Sequence, residues 1–156
     1  MVWLKRLVTL SAVGLLSLAA WLWLTMLSPW FYERPDELPA IEQRTHQVFV
    51  YGTLRYAAIR FVVMGSFGDP KAAVLEGYQR NGLDLSSLPG SHVEGLVLSV
   101  DAKELARLDR YERLGVRYER LALTLDDGTR AWVYKRLPEQ QNAFAAYTEF
   151  PIALVP

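Results

Sequence analysis

Between Arg6 and Glu33 the chain carries no charged residue. Leu7 to Trp30, LVTLSAVGLLSLAAWLWLTMLSPW, is 24 residues of almost wholly apolar or small side chains. As a helix rising about 1.5 Å per residue it would span roughly 36 Å, enough to cross a hydrocarbon core of about 30 Å with some tilt. Trp21, Trp23, Trp30, Phe31 and Tyr32 gather at its far end, where rings with an apolar body and a polar tip favour the membrane–water interface. A buried core helix of this length would show a polar face. A cleaved signal peptide is the sharper competitor, with Ser17-Leu18-Ala19 as a small-x-small site. The apolar run continues well past that site, which a signal peptide does not need. We therefore read residues 1–6 as a basic tail and 7–30 as a single-pass anchor whose partner is the lipid bilayer. Lys5, Arg6 and the terminal amine precede the segment, and Arg34 and Arg44 follow it. A short basic amino end followed by a large domain stays in the cytoplasm, which places the domain on the extracytoplasmic, periplasmic side.

Composition narrows the remainder. There is no Cys, which removes disulfides, thiol nucleophiles, iron–sulfur clusters and Cys-containing zinc sites. Lys plus Arg and Asp plus Glu both number 17. The two basic residues of the amino end aside, 15 basic residues face 17 acidic ones from residue 31 onward. Such a balance argues against nucleic acid as a partner. Walker, G-x-G-x-x-G, H-E-x-x-H and G-x-S-x-G motifs are lacking. His46 and His92 are the only histidines; they lie far apart, read as loop residues, and no metal site is expected.

Residues 31–46 read as an extended linker, since Glu33 to His46, ERPDELPAIEQRTH, holds two prolines and many charges. One domain, 47–156, should follow. Val48 to Tyr51 is a short run of β-formers closed by Gly52, a buried strand. Tyr56 to Met64 reads as a helix stopped by Gly65. Ala72–Arg80 and Val93–Val100 read as strands around a turn-rich stretch, Asn81–Ser91, with Asn81-Gly82 and Pro89-Gly90. Asp101 to Tyr111 is the clearest helix, with Asp101 and Glu104 spaced as a capping box. Tyr118–Leu125 and Thr129–Lys135 read as a hairpin across Asp126-Asp127-Gly128. The expected fold is α+β, a small mixed, mostly antiparallel barrel with one or two packed helices.

Four short segments stand out in order: Val48-Phe49-Val50-Tyr51-Gly52-Thr53-Leu54-Arg55; Leu108-Asp109-Arg110-Tyr111-Glu112; Tyr118-Glu119-Arg120; and Ala131-Trp132-Val133-Tyr134. Pro89-Gly90 and Val93-Glu94-Gly95-Leu96 lie between the first two. This order resembles the γ-glutamylcyclotransferase-like family, in particular its AIG2-like and γ-glutamylamine cyclotransferase branch, over about Val48 to Arg136. The resemblance implies a barrel with a cavity, no cofactor, and a small γ-glutamyl substrate cyclised to 5-oxoproline with release of its amine. It makes Glu112 the catalytic general acid and base. Spacing alone would leave Glu112 a solvated helix-end residue near Arg113 and Arg117. Tyr51, Gly52, Thr53 and Leu54 match the family's substrate loop, whose backbone amides would hold a carboxylate or a developing oxyanion. Tyr118 joins them as a substrate-binding candidate, with packing in the barrel wall as the alternative. The resemblance makes Asp109 structural, a hydrogen-bond partner for nearby backbone, and Arg120, Trp132 and Tyr134 are read as structural as well. The sequence departs from the family in Arg55-Tyr56-Ala57-Ala58-Ile59-Arg60, where a polar, glycine-containing stretch is usual, and in the anchor. The expected function is a membrane-tethered γ-glutamyl cyclotransferase; the alternative is a non-catalytic module of the same fold that binds a small anion.

Overall fold

The structure is a computed structural model describing residues 2–26, 32 and 34–138. The ends of the expected anchor and linker, 27–31 and 33, and the last part of the expected domain, 139–156, lie outside the described residues. The first helix, α1, spans Val2–Met26. It begins before Lys5 and Arg6 instead of after them, because both are good helix formers and nothing there breaks the turn. Val2–Trp21 has a mean hydropathy of 1.5 and none of it is buried. It is long and apolar enough to cross a membrane, a test that a signal sequence also passes.

The remaining elements are β1 (His46–Val50), a 3-10 turn (Thr53–Arg55), α2 (Ala57–Met64), β2 (Lys71–Asn81), β3 (Asp84–Val100), α3 (Ala102–Glu112), β4 (Tyr118–Thr124) and β5 (Arg130–Arg136). They form one five-stranded sheet in the order β2-β3-β1-β5-β4. Only β1 and β5 run parallel; the other neighbours are antiparallel. The sheet curls into a half-barrel. Its two ends meet after β4, where the Asp126 amide donates to the Val74 carbonyl at 3.1 Å. The α+β, mostly antiparallel arrangement with two packed helices follows the sequence reading.

Alternation along β1 divides the core. Phe49 and Tyr51 join Leu75, Leu85, Val97 and Val133 on the concave face. Val48 and Val50 face outward, where Val63 and Met64 of α2 and Leu105 and Leu108 of α3 cover the sheet. The α3 start is the expected capping box: Asp101 accepts from the Glu104 amide, and Glu104 accepts from the Asp101 amide.

Two readings change. The stretch 84–91, expected as turns, belongs to β3. Only Asn81-Gly82 sits at the β2–β3 turn. Pro89 and Gly90 fall in a bulge, since pairing jumps from Glu76↔His92 to Tyr78↔Ser87. Pro lacks an amide proton and Gly90 has φ 82°, so both suit an interruption of the ladder. His46 and His92 consequently lie in strands rather than loops. His46 is buried; its Nε2 pairs with the Glu42 carbonyl at 2.9 Å, and its Nδ1 accepts from Trp132 Nε1 at 3.4 Å.

The linker also differs from an extended stalk. Tyr32, Leu38 and Ile41 pack against the outward core, and Tyr32 donates its hydroxyl to the Leu114 carbonyl at 2.6 Å. Gly115 has φ 80°, and a Cβ there would come within 2.9 Å of Pro35. The apolar residues among the charges of this segment make it a strap against the domain.

Candidate active site

At the end of β1 the chain leaves the sheet through Gly52 and makes one 3-10 turn. The opening amides of such a turn have no acceptor within it. Among the described residues, no protein acceptor takes the amides of Gly52, Thr53 or Leu54. Opposite stands the end of α3. There Arg113 adopts a left-handed conformation, φ 52°, and closes the helix by donating to the carbonyls of Asp109 and Arg110. A tight turn, in which the Arg117 amide donates to the Arg113 carbonyl at 2.9 Å, then delivers the chain to Tyr118 and β4. Glu112 thus reaches the same end of the sheet as the Gly52 turn.

Between these pieces lies a cavity of about 150 Å³. Its walls include all six residues singled out from sequence: Tyr51, Gly52, Thr53, Leu54, Glu112 and Tyr118. Phe49, Val50, Leu83, Tyr111, Arg117 and Tyr134 complete them. Of these six further residues, Tyr111 is held to the loop by a 3.2 Å hydroxyl contact with Thr53. Leu83, at the tip of the β2–β3 hairpin, closes over Gly52. The sequence reading marked none of Phe49, Val50, Leu83, Tyr111, Arg117 and Tyr134 as site residues.

Glu112 sits at the last residue of α3, within the helix instead of just past it. Solvent reaches it through the cavity mouth, yet protein crowds most of its carboxyl. Among the described residues it makes no hydrogen bond and no ion pair, with Arg113 and Arg117 included. Burial without a compensating partner pushes its pKa up from 4.5 to about 7. Tyr111 is also raised, chiefly by burial, as is Tyr51. The Tyr51 hydroxyl is committed to the Tyr134 carbonyl at 2.7 Å, so its phenol holds the wall. Tyr118 both lines the cavity and packs beneath the Arg136 guanidinium, 5.8 Å from the ring centroid.

Asp109 is structural, but its partners are side chains rather than the expected backbone. Arg120 Nη1 donates to both its oxygens at 2.8 and 2.9 Å, and the Tyr134 hydroxyl donates at 2.6 Å. Arg120 in turn lies 4.8 Å from the Trp132 ring centroid. Burial raises the Asp109 pKa, opposed by the Tyr134 bond and the Arg120 charge. A larger cavity, about 460 Å³, lies under the strap beside His46 and Arg120. Its ionisable groups include Glu42, bonded to Arg44, and Arg120, bonded to Asp109. Its other carboxyl is that of Glu119.

A half-barrel whose parallel β1–β5 pair ends at a loop, a carboxyl and a small cavity defines an α+β fold with a pocket at one end of the sheet. The chain belongs to the gamma-glutamyl cyclotransferase, AIG2-like family, whose model matches residues 48–150. At that level it is a cyclotransferase-like enzyme. Two Arabidopsis thaliana proteins known from solution structures share the fold. Each is 24% identical, with a TM-score of 0.52; one match covers 71% of this chain and 81% of that protein, the other 73% and 87%. No curated protein matches the sequence.

Proposed function

We propose that the protein is a membrane-tethered γ-glutamyl cyclotransferase that closes a small γ-glutamyl amine or peptide to 5-oxoproline and frees the amine. One observation carries this reading: a carboxyl raised to about 7 faces a cavity edged by three backbone amides, and among the described residues neither it nor the amides have a partner. The substrate's α-ammonium must lose a proton before its nitrogen attacks its own γ-carbonyl. A carboxylate of near-neutral pKa takes that proton and can return it. Attack makes the five-membered ring and places charge on the former carbonyl oxygen, which the amides of Gly52, Thr53 and Leu54 are suited to receive. Glu112 passes its proton to the leaving nitrogen. The ring nitrogen sheds its extra proton by the same route as the C–N bond breaks. The amine departs as an ammonium, and Glu112 regains its charge. Holding amine and carbonyl together in a small cavity supplies the proximity term. The apolar helix supports a tether to the bilayer, with the domain on the extracytoplasmic side. No metal or cofactor is required by these steps.

The test is 5-oxoproline release by the full chain from a panel of γ-glutamyl amines and γ-glutamyl dipeptides. Glu112→Gln should lower turnover by about 10²–10⁴-fold. The wild-type rate should fall on the acid side of about pH 7, as Glu112 takes up its proton. No release from any substrate would remove the proposal. Ligand-induced stabilisation that survives Glu112→Gln, without turnover, would favour a small-anion binding module.

A further inference from the structure

The departure at Arg55–Arg60 gives α2 an unusual outer face. The helix reads Ala57-Ala58-Ile59-Arg60-Phe61-Val62-Val63-Met64 and contains one ionisable side chain, Arg60. That residue is buried, and its guanidinium turns inward to the carbonyls of Leu54, Arg55 and Phe67 at 2.7–3.0 Å. Nothing charged remains on the helix's solvent side. Tyr56, Phe61, Val62 and Phe67 are 70%, 54%, 62% and 54% exposed. The rings of Phe61 and Phe67 stack on each other at 5.4 Å instead of entering the core. An exposed aromatic and aliphatic surface of this kind marks a contact site.

The tether limits what that surface can meet. α1 ends at Met26, and Tyr32 is fixed to Leu114, just beyond the end of α3. Six residues reach at most about 20 Å. The end of the apolar helix is therefore held within about one domain radius or two of the α3 terminus, since a 100-residue domain has a radius of gyration of about 13 Å. α2 begins at that same end of α3, where Thr53 meets Tyr111 at 3.2 Å.

We infer that the outer face of α2, with Phe67, rests on the lipid surface in which the apolar helix is embedded. Tyr56, Phe61 and Phe67 would occupy the headgroup boundary, which suits aromatic rings. Exposed Arg55, at the head of the helix, is placed to meet lipid phosphate. An amphipathic helix lying flat buries its apolar face about 5–10 Å into this boundary. The strap then does more than connect; it holds the domain in one orientation on the membrane.

The chain has no cysteine, so one introduced thiol takes a fluorophore uniquely. The full chain carrying Val62→Cys is labelled and reconstituted in phosphatidylcholine–phosphatidylglycerol vesicles, with and without lipids bearing an acyl-chain nitroxide quencher. Ser87→Cys, on the exposed part of β3, is the reference. Quenching by the nitroxide lipid should be several-fold stronger at position 62 than at 87. Adding Phe61→Glu should remove most of the difference while the protein still floats with the vesicles. Equal quenching at the two positions overturns the inference, whether position 62 is then hydrated, covered by a second copy or covered by residues 139–156. Failure of the wild-type chain to float with the vesicles overturns it too.

Discussion

Removing the charge of Glu112 should stabilise the folded protein above neutral pH while destroying its activity. The carboxyl has a pKa of about 7 in the folded chain, against 4.5 when solvated. At about 1.4 kcal/mol for each tenfold change in proton affinity, that difference is worth about 3 kcal/mol. The sign follows from which state holds the proton. Between pH 4.5 and about 7 the folded protein binds a proton that the unfolded chain has released, so unfolding free energy falls as pH rises. Below 4.5 both states are protonated and the carboxyl is neutral, so this contribution vanishes. Above 7 the folded protein must keep a desolvated charge, and the whole penalty applies. Glu112→Gln has nearly the same shape and no charge to desolvate. Urea unfolding of both full chains in detergent, at pH values from about 4.5 to 8, isolates the effect because every other group titrates alike in the two proteins. The stability of the Gln variant relative to wild type should climb by about 3 kcal/mol across that range. An imperfectly bonded amide would shift the curve as a whole and leave its slope. A difference that stays level with pH, or runs the other way, would refute burial as the source of the raised pKa.

Asp109→Asn should cost about 3 kcal/mol, because it strips the anion from the largely covered Arg120 guanidinium; the same urea series reads it. Gly95→Ala should cost about 1–3 kcal/mol, since its Cβ would come within 2.5 Å of the Val50 carbonyl and 2.6 Å of the Phe49 ring. Both of those residues border the cavity, so 5-oxoproline release should fall with it. Asp101→Ala should cost about 1 kcal/mol through loss of the capping box, with turnover unchanged, and thus separates a loss of stability from damage to the site.

Local signals carried much of the fold. The β-former run before Gly52, the capping box at Asp101 and the Asp-Asp-Gly turn each act over a few residues, and each produced its element to within a residue or two. The β2–β3 region failed because turn chemistry is shared by turns and bulges. Pro89-Gly90 looks the same in either, and only the partner strand decides which forms. The strap failed for a related reason. Leu38 and Ile41 are too few to show a period, yet a preformed sheet and helix gave them a place to pack. At the site, Glu112 was found by motif and not by chemistry. Its surroundings come from Tyr51 and Thr53, some sixty residues earlier, and from strands after it, so its burial leaves no local trace. Asp109 shows the limit from the other side. Its acidic character was visible, but Arg120 and Tyr134 became its partners only through the pairing of β4 with β5.

The contacts that enclose Glu112 join distant parts of the chain. Thr53 and Tyr111 are 58 residues apart, and Tyr51 and Tyr134 are 83. Such closures form slowly, because the entropy of each loop is spent before its contacts return anything. β5 must insert beside β1 before the Tyr134 carbonyl can receive the Tyr51 hydroxyl. During synthesis the apolar helix emerges before the domain, and Tyr134 among the last of the described residues. Until then the pocket has no wall, and Glu112 sits in water as an ordinary carboxylate. Its unusual proton affinity therefore arises only once these distant segments have met.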